Sequence, residues 1–181
     1  KGGPLMMAMP TWEPFLILPS DERPPLPRSV ETLEGVTDRL RVVAFAELQA
    51  REAFRWAAER FEEAEPAVKT AWRGLALAED RHLNWLLTRL KELNCDVAER
   101  GLQPDLCNSF MQCQSRREFA VFMANAEERG RRGGERLRRS LQKIDPVSAE
   151  LFGRIADEEA EHIQCAERFF PGAVGSLKPR G

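Results

Sequence analysis

The sequence contains no tyrosine and only two histidines among its 181 residues. The first absence excludes chemistry that needs a tyrosyl radical, and the second confines any imidazole chemistry to His82 and His162. The four cysteines, Cys95, Cys107, Cys113 and Cys165, form no Cys-x-x-Cys pair, which argues against a zinc ribbon or a four-cysteine iron centre. Reduced thiols are the expectation. No apolar run reaches the roughly 18 residues needed to span a bilayer. The opening residues, broken by Pro4, Pro10, Pro14 and Pro19, do not resemble a secretory signal. A charge excess is lacking too: 27 basic residues against 29 acidic ones leave a formal net charge of −2, with no global drive toward nucleic acid or acidic membrane. Together these absences predict one soluble, cytoplasmic domain with no membrane partner.

What is present is helical. Residues 1–35 hold seven of the twelve prolines and predict an extended arm, with the apolar stretch Trp12 to Leu18 lying against the rest of the chain. From Val36 to about Ala64 there is neither Pro nor Gly, and apolar residues recur at three and four, which predicts the first helix. Pro66 suits the first position of a second helix that should end near Leu93, before Asn94. A connection of about twenty residues, containing Gly101, Pro104 and the Leu106 to Cys113 segment, is long enough for a crossover. Ser115 and Glu118 have capping-box spacing and open a third helix expected to end near Ile144. Asp145 and Pro146 open a fourth, which Pro171 stops after Phe170. The expected fold is all-α: a four-helix bundle over residues 36–170, made of two helical hairpins joined by a long crossover, with a loose tail at 171–181.

Each histidine closes the same pattern, Glu79-Asp80-Arg81-His82 and Glu159-Ala160-Glu161-His162. Residues three apart share a helix face, so each motif can aim a carboxylate and an imidazole at one point. The motifs stand 80 residues apart, and the same step back from Glu127 in the third helix lands on Glu47 in the first. Each half therefore reads Glu and then, 32 positions later, Glu-x-x-His. Pro66 with Pro146, Ala46 with Ala126, Ala76 with Ala156 and Trp72 with Phe152 keep the same offset, as an internal repeat of two hairpins would.

The candidate ligands lie on apolar stripes. Trp72, Leu75, Ala76, Leu83 and Leu86 flank Glu79, while Phe152, Ile155, Ala156, Ile163 and Ala166 flank Glu159. Arg51 and Arg131 are the charged intrusions. Burying four carboxylates together without compensation would raise their pKa values until they took up protons, whereas two divalent cations would compensate them. Four carboxylates and two imidazoles suit iron or manganese better than zinc, which favours fewer ligands in a tetrahedron.

Across about residues 36–170 the chain resembles the ferritin-like di-iron carboxylate superfamily, whose ligand recipe has this form. The segments Ala46-Glu47-Leu48-Gln49-Ala50-Arg51-Glu52, Ala78-Glu79-Asp80-Arg81-His82, Glu127-Glu128-Arg129-Gly130 and Asp157-Glu158-Glu159-Ala160-Glu161-His162 are most similar to an uncharacterised ferritin-like branch. They are more weakly similar to the tRNA hydroxylase branch that oxidises a modified isopentenyl-adenosine. The resemblance implies that Glu47 and Glu127 are metal ligands from the first and third helices, and that Glu79 and Glu159 bridge or chelate beside His82 and His162. Glu52 and Glu128 are near competitors that do not keep the 80-residue offset.

The resemblance further implies two iron ions, dioxygen or peroxide as a reactant and an external electron donor. The activity implied is that of an oxygen-activating hydroxylase or oxidase on a small-molecule or nucleotide-like substrate. A ferroxidase, an iron-storage protein forming a hollow oligomer, or a peroxide-reducing protein is the alternative, and a bundle whose polar core only specifies packing is a third reading. Lacking tyrosine, the chain cannot supply the radical of a ribonucleotide reductase small subunit; lacking the cysteine set, it is no full-length rubrerythrin. A fifth helix after residue 170, which storage cages carry, is not evident.

Three further features remain. Gly130 and Gly134 fall on the face of Glu127, where they either open a pocket or permit close helix packing. Arg129, Arg131, Arg132, Arg136, Arg138 and Arg139 would suit phosphate, including that of tRNA, although charged helix faces are commonly just solvated. Cys165, three residues after His162, is expected to be a buried, inert thiol near the cluster.

Overall fold

The computed structural model describes residues 10–176; the expectations for the start of the proline-rich arm and the end of the tail lie outside the described residues. The chain is all-α, with helices α1 (Leu33–Arg60), α2 (Pro66–Glu92), α3 (Asp105–Phe110), α4 (Arg116–Leu141) and α5 (Pro146–Phe169). Short 3-10 turns occupy Val97–Glu99 and Val174–Ser176. None of these helices is long and apolar enough to cross a membrane.

Helix boundaries follow local chemistry. Thr32 caps α1 by accepting from the Gly35 amide at 3.0 Å. Asn94, in the left-handed region at φ 52°, closes α2 with two bonds of a Schellman motif: Cys95 N–H to Leu90 C=O and Asn94 N–H to Lys91 C=O, each 3.0 Å. At α4 the Ser115 hydroxyl accepts from Glu118 N–H, but the Glu118 carboxylate takes the amide of Gln114, one residue outside the expected box. Asp145 caps α5 by accepting from the Ser148 amide, and Arg89 of α2 donates to the same carboxylate at 2.8 Å.

The short links 61–65 and 142–145 lay α2 back along α1 and α5 back along α4, and these two pairs make the most extensive contacts in the molecule. Between the pairs α2 packs on α5, while α1 and α4 touch sparsely. The long connection is partly helical: α3 docks on α1, where buried Gln49 accepts from the Cys107 amide at 3.0 Å. Residues 171–176, expected as a loose tail, are seated on the bundle, with Ala173 buried and Glu167 accepting from the amides of Gly172 and Val174. The arm also docks as expected: Trp12 meets Phe45 edge to face, Phe15 is buried, and Ile17 pairs with Leu102 in an isolated parallel bridge.

A charge cluster ties the arm and the connection to α1. Arg41 is only 1% exposed, and its guanidinium donates to Asp38, to the Val97 and Asp96 carbonyls and to Glu99. Burial alone would push the Asp38 carboxyl up, but hydrogen bonds from Arg28 and Arg41, with Arg100 nearby, hold it well below the ordinary range. A depressed carboxyl contributes stability above its unfolded pKa of about 3.9, and that stability is lost as pH falls through the folded value. Asp38→Asn is therefore expected to destabilise the protein by about 2 kcal/mol at pH 7. In thermal melts its deficit should narrow as pH drops below about 4; a deficit independent of pH would contradict the ion-pair account.

Candidate metal centre

The core divides into two apolar layers. Trp56, Phe61, Trp72, Phe110, Phe119 and Phe170 belong to one; Leu40, Phe45, Leu86, Leu90, Leu141 and Phe152 belong to the other. Along every long helix the run passes from one layer to the other, and at each crossing stands a candidate ligand. Glu47 lies on α1, Glu79 and His82 on α2, Glu127 on α4, and Glu159 and His162 on α5. All six are buried, with exposures of 0% to 8%.

Two triads result. Ligand atoms of Glu47, Glu79 and His82 lie within 4.8 Å of one another, and so do those of Glu79, Glu127 and His162. Glu79 is common to both. Its Oε2 is 3.5 Å from His82 Nδ1 and its Oε1 is 3.0 Å from His162 Nδ1, so its two oxygens face opposite triads. Glu159, expected to match Glu79 by the repeat, belongs to neither triad. It borders Gly130, where an added Cβ would sit 3.0 and 3.1 Å from its carboxylate oxygens. The competitors are elsewhere: Glu52 pairs with Arg51 and Arg55, and Glu128 with Arg131 and Arg132.

Glu158, which the sequence reading did not select, accepts from His82 Nε2 at 2.6 Å and from Arg81 at 2.6 Å. A carboxylate held below its usual range by those two partners is acceptor-only, so Nε2 carries a proton and Nδ1 is the atom turned toward Glu47 and Glu79. Trp85, also missed, lies 5.5 Å from the His82 ring with Arg154 4.3 Å above its own. No side-chain partner is found for His162 Nε2 among the described residues, whose close carboxylates both face Nδ1. No periodicity of α5 reveals Glu158, because its role depends on how α2 lies against α5.

Burial, then mutual repulsion with Glu79, raises the Glu47 carboxyl well above its ordinary value. Burial likewise pushes Glu127 up to about 7, against the pull of His162, and Glu159 up to about 9, reinforced by Glu127. Burial would also raise Glu79, but the adjacent Glu47 carboxyl and the His162 and His82 imidazoles overcome it and hold Glu79 low. His162, disfavoured as a cation by burial, is nevertheless raised to about 11 by Glu127 and Glu79. The bare cluster thus gathers protons at its centre. Buried His82 Nδ1, His162 Nδ1, Glu127 Oε2 and Glu159 Oε2 still lack a hydrogen bond of proper geometry, although both imidazole atoms approach carboxylates closely. Positive charge in the middle would satisfy all four, and the donor set fits a pair of divalent cations.

Cys165 is half-buried, its thiol raised by burial, and lines a small cavity with Glu127 and His162. Gly134 permits close packing, since a Cβ there would lie 3.1 Å from the Phe152 carbonyl oxygen and 3.3 Å from Ala156 Cβ. On the α1–α4 side the cluster opens to a cleft of about 360 Å³.

A family model described as "Protein of unknown function (DUF455)" matches residues 4–177 of the chain. No curated protein and no solved structure matches it.

Proposed function

We propose, for this chain, which belongs to the DUF455 family, a di-metal carboxylate centre of the ferritin-like kind, holding two iron ions and working as an oxygen-activating oxidase or hydroxylase. Glu47, Glu79 and His82 would hold one ion, and Glu79, Glu127 and His162 the other, with Glu159 as an additional carboxylate at the second. Iron bound there supplies one-electron chemistry toward dioxygen or peroxide, with electrons from an external donor; manganese fits the same donors.

The observation that carries this reading is the shared Glu79 between two buried carboxylate–imidazole triads. The protein's own part is legible in the geometry. Glu158 orients the His82 ring, the two apolar layers flank the cluster along the bundle, and Gly130 leaves room for the Glu159 carboxylate. The open cleft favours turnover of a separate substrate over iron storage. Arg131, Arg132 and Arg138 are engaged by Glu128 and Glu135, which weakens the case for an RNA-binding face on α4.

The test is metal content per chain after purification without added metal, with absorption spectra before and after ferrous iron and air. Two iron per chain and a new near-ultraviolet band would support the centre. Absence of metal and of uptake on reconstitution would leave a bundle with a polar core, while loading far beyond two per chain in a hollow oligomer would favour storage.

Uptake should also depend on pH. Glu47, Glu127 and Glu159 are raised, so a metal must displace their protons, and affinity is expected to rise with pH through about 7 to 9. Titration of ferrous ion in weakly buffered anaerobic solution should show proton release; uptake without release would contradict the protonated cluster.

A further inference from the structure

The two helical pairs close tightly on themselves, but α1 and α4 do not close on each other, and the gap between them is the cleft above the cluster. Its walls are apolar, from Val42 and Val43 on α1 to Leu137, Phe152 and Ile155 opposite, and Val42 is 47% exposed. Its floor is Glu47, Glu79, Glu127 and Glu159, and Arg129 stands at its edge. We propose that this cleft binds a small apolar molecule bearing one anionic group, a carboxylate or a phosphate, with the apolar end toward the carboxylate floor and the charge at Arg129 and Arg136.

Two observations beyond the apolar lining point to that occupant. Arg129 and Arg136 are exposed, lie seven residues apart on α4 and so share a face, and have no carboxylate partner among the described residues, unlike Arg131, Arg132 and Arg138 between and beyond them. Arg129 lines the cleft, while Arg136 lines the adjoining surface hollow and reaches the cleft only at Gly133; two guanidinium groups so placed complement an anion at the rim. Gly133, one turn from each, lines the cleft, and a Cβ added there would meet nothing nearer than Arg136 Nη2 at 3.9 Å. Packing therefore explains Gly134 but not Gly133, whose missing side chain leaves space open below the arginines. Orientation follows from where the cation stands: among the residues lining the cleft Arg129 is the cationic one, so the charged group stays at the rim. The inference rests on the di-metal reading only in making the apolar end the part that metal would meet.

Decanoate, decyl phosphate and decanol titrated calorimetrically into the metal-free protein test this directly. The expected result is saturable binding of an anionic ligand about tenfold or more tighter than decanol, and the tighter of the two anions identifies the headgroup. Arg129→Ala with Arg136→Ala should bring the anions to the level of decanol. Gly133→Leu, which favours the helix, should weaken all binding by about tenfold or more at wild-type helicity and melting temperature. Ala46→Phe, filling the cleft from α1, gives the same reading if Gly133→Leu does not fold. Equal affinity for decanol and both anions in the wild type, no binding at all, or anion binding unmoved by both filling variants would each overturn the proposal. Iron uptake, measured separately on the wild type, decides the di-metal reading without bearing on these titrations.

Discussion

Glu79→Gln is expected to abolish binding of both ions at once, where loss of any other single candidate should weaken chiefly one. The reason is positional: Glu79 alone offers an oxygen to each triad, 3.0 Å from one imidazole and 3.5 Å from the other. Gln keeps the shape and removes the charge that attracts the cations. The metal-free variant should keep wild-type helicity while melting lower than the metal-free wild type, because it takes the anionic partner away from the buried His162 cation. That separates loss of a ligand from loss of the fold. Glu52→Gln and Glu128→Gln should keep full metal content, since both carboxylates are engaged by arginines away from the cluster. Elemental analysis of the three variants is the check; a Glu79→Gln protein with two ions per chain would sink the shared-ligand account.

Removing metal should lower stability, and increasingly so with pH. At free metal a thousandfold above the dissociation constant, binding to the folded state alone contributes about 4 kcal/mol. In the metal-free protein Glu127 and Glu159 are raised to about 7 and 9, and His162 to about 11. Groups whose folded pKa exceeds the unfolded one contribute stability below the unfolded value and lose it as pH rises through the folded one. Metal-free stability should therefore fall from about pH 5 upward, through about 7 and 9 for the two carboxyls and on toward about 11 for His162. Bound cations replace the protons and reverse that slope, so the gap between loaded and metal-free melting temperatures widens with pH. Denaturation series at pH 6 and pH 8.5, with and without chelator, measure it. A gap that shrinks with pH would mean that the cluster does not hold protons in place of metal.

Much of this molecule is legible without coordinates because its signals are local. Proline at N1, the Asn94 stop and the Ser and Asp caps act over one turn, and the helix starts and stops follow them to within a few residues. The choice of Glu47 over Glu52 and of Glu127 over Glu128 came from an 80-residue offset, and the structure brings the chosen pair into the buried cluster. Periodicity served there because the two hairpins repeat the same placement of side chains on helix faces.

The offset is silent on how the two halves differ. By repeat Glu159 matches Glu79, yet Glu79 alone joins both triads and Glu159 lies against Gly130. Which carboxylate sits centrally depends on how α2 meets α5, a distance between helices that no spacing within one helix encodes. The grip of Glu158 on His82, the burial of Arg41 with Asp38, and the unclosed space between α1 and α4 have the same origin. By itself, then, the sequence determined the helices, their inward faces and the residues that meet mid-bundle, because a helix repeats every 3.6 residues whatever surrounds it. Only the tertiary structure decided which of those residues is shared, what orients them and where the cluster opens, because these are set by packing between helices distant in sequence.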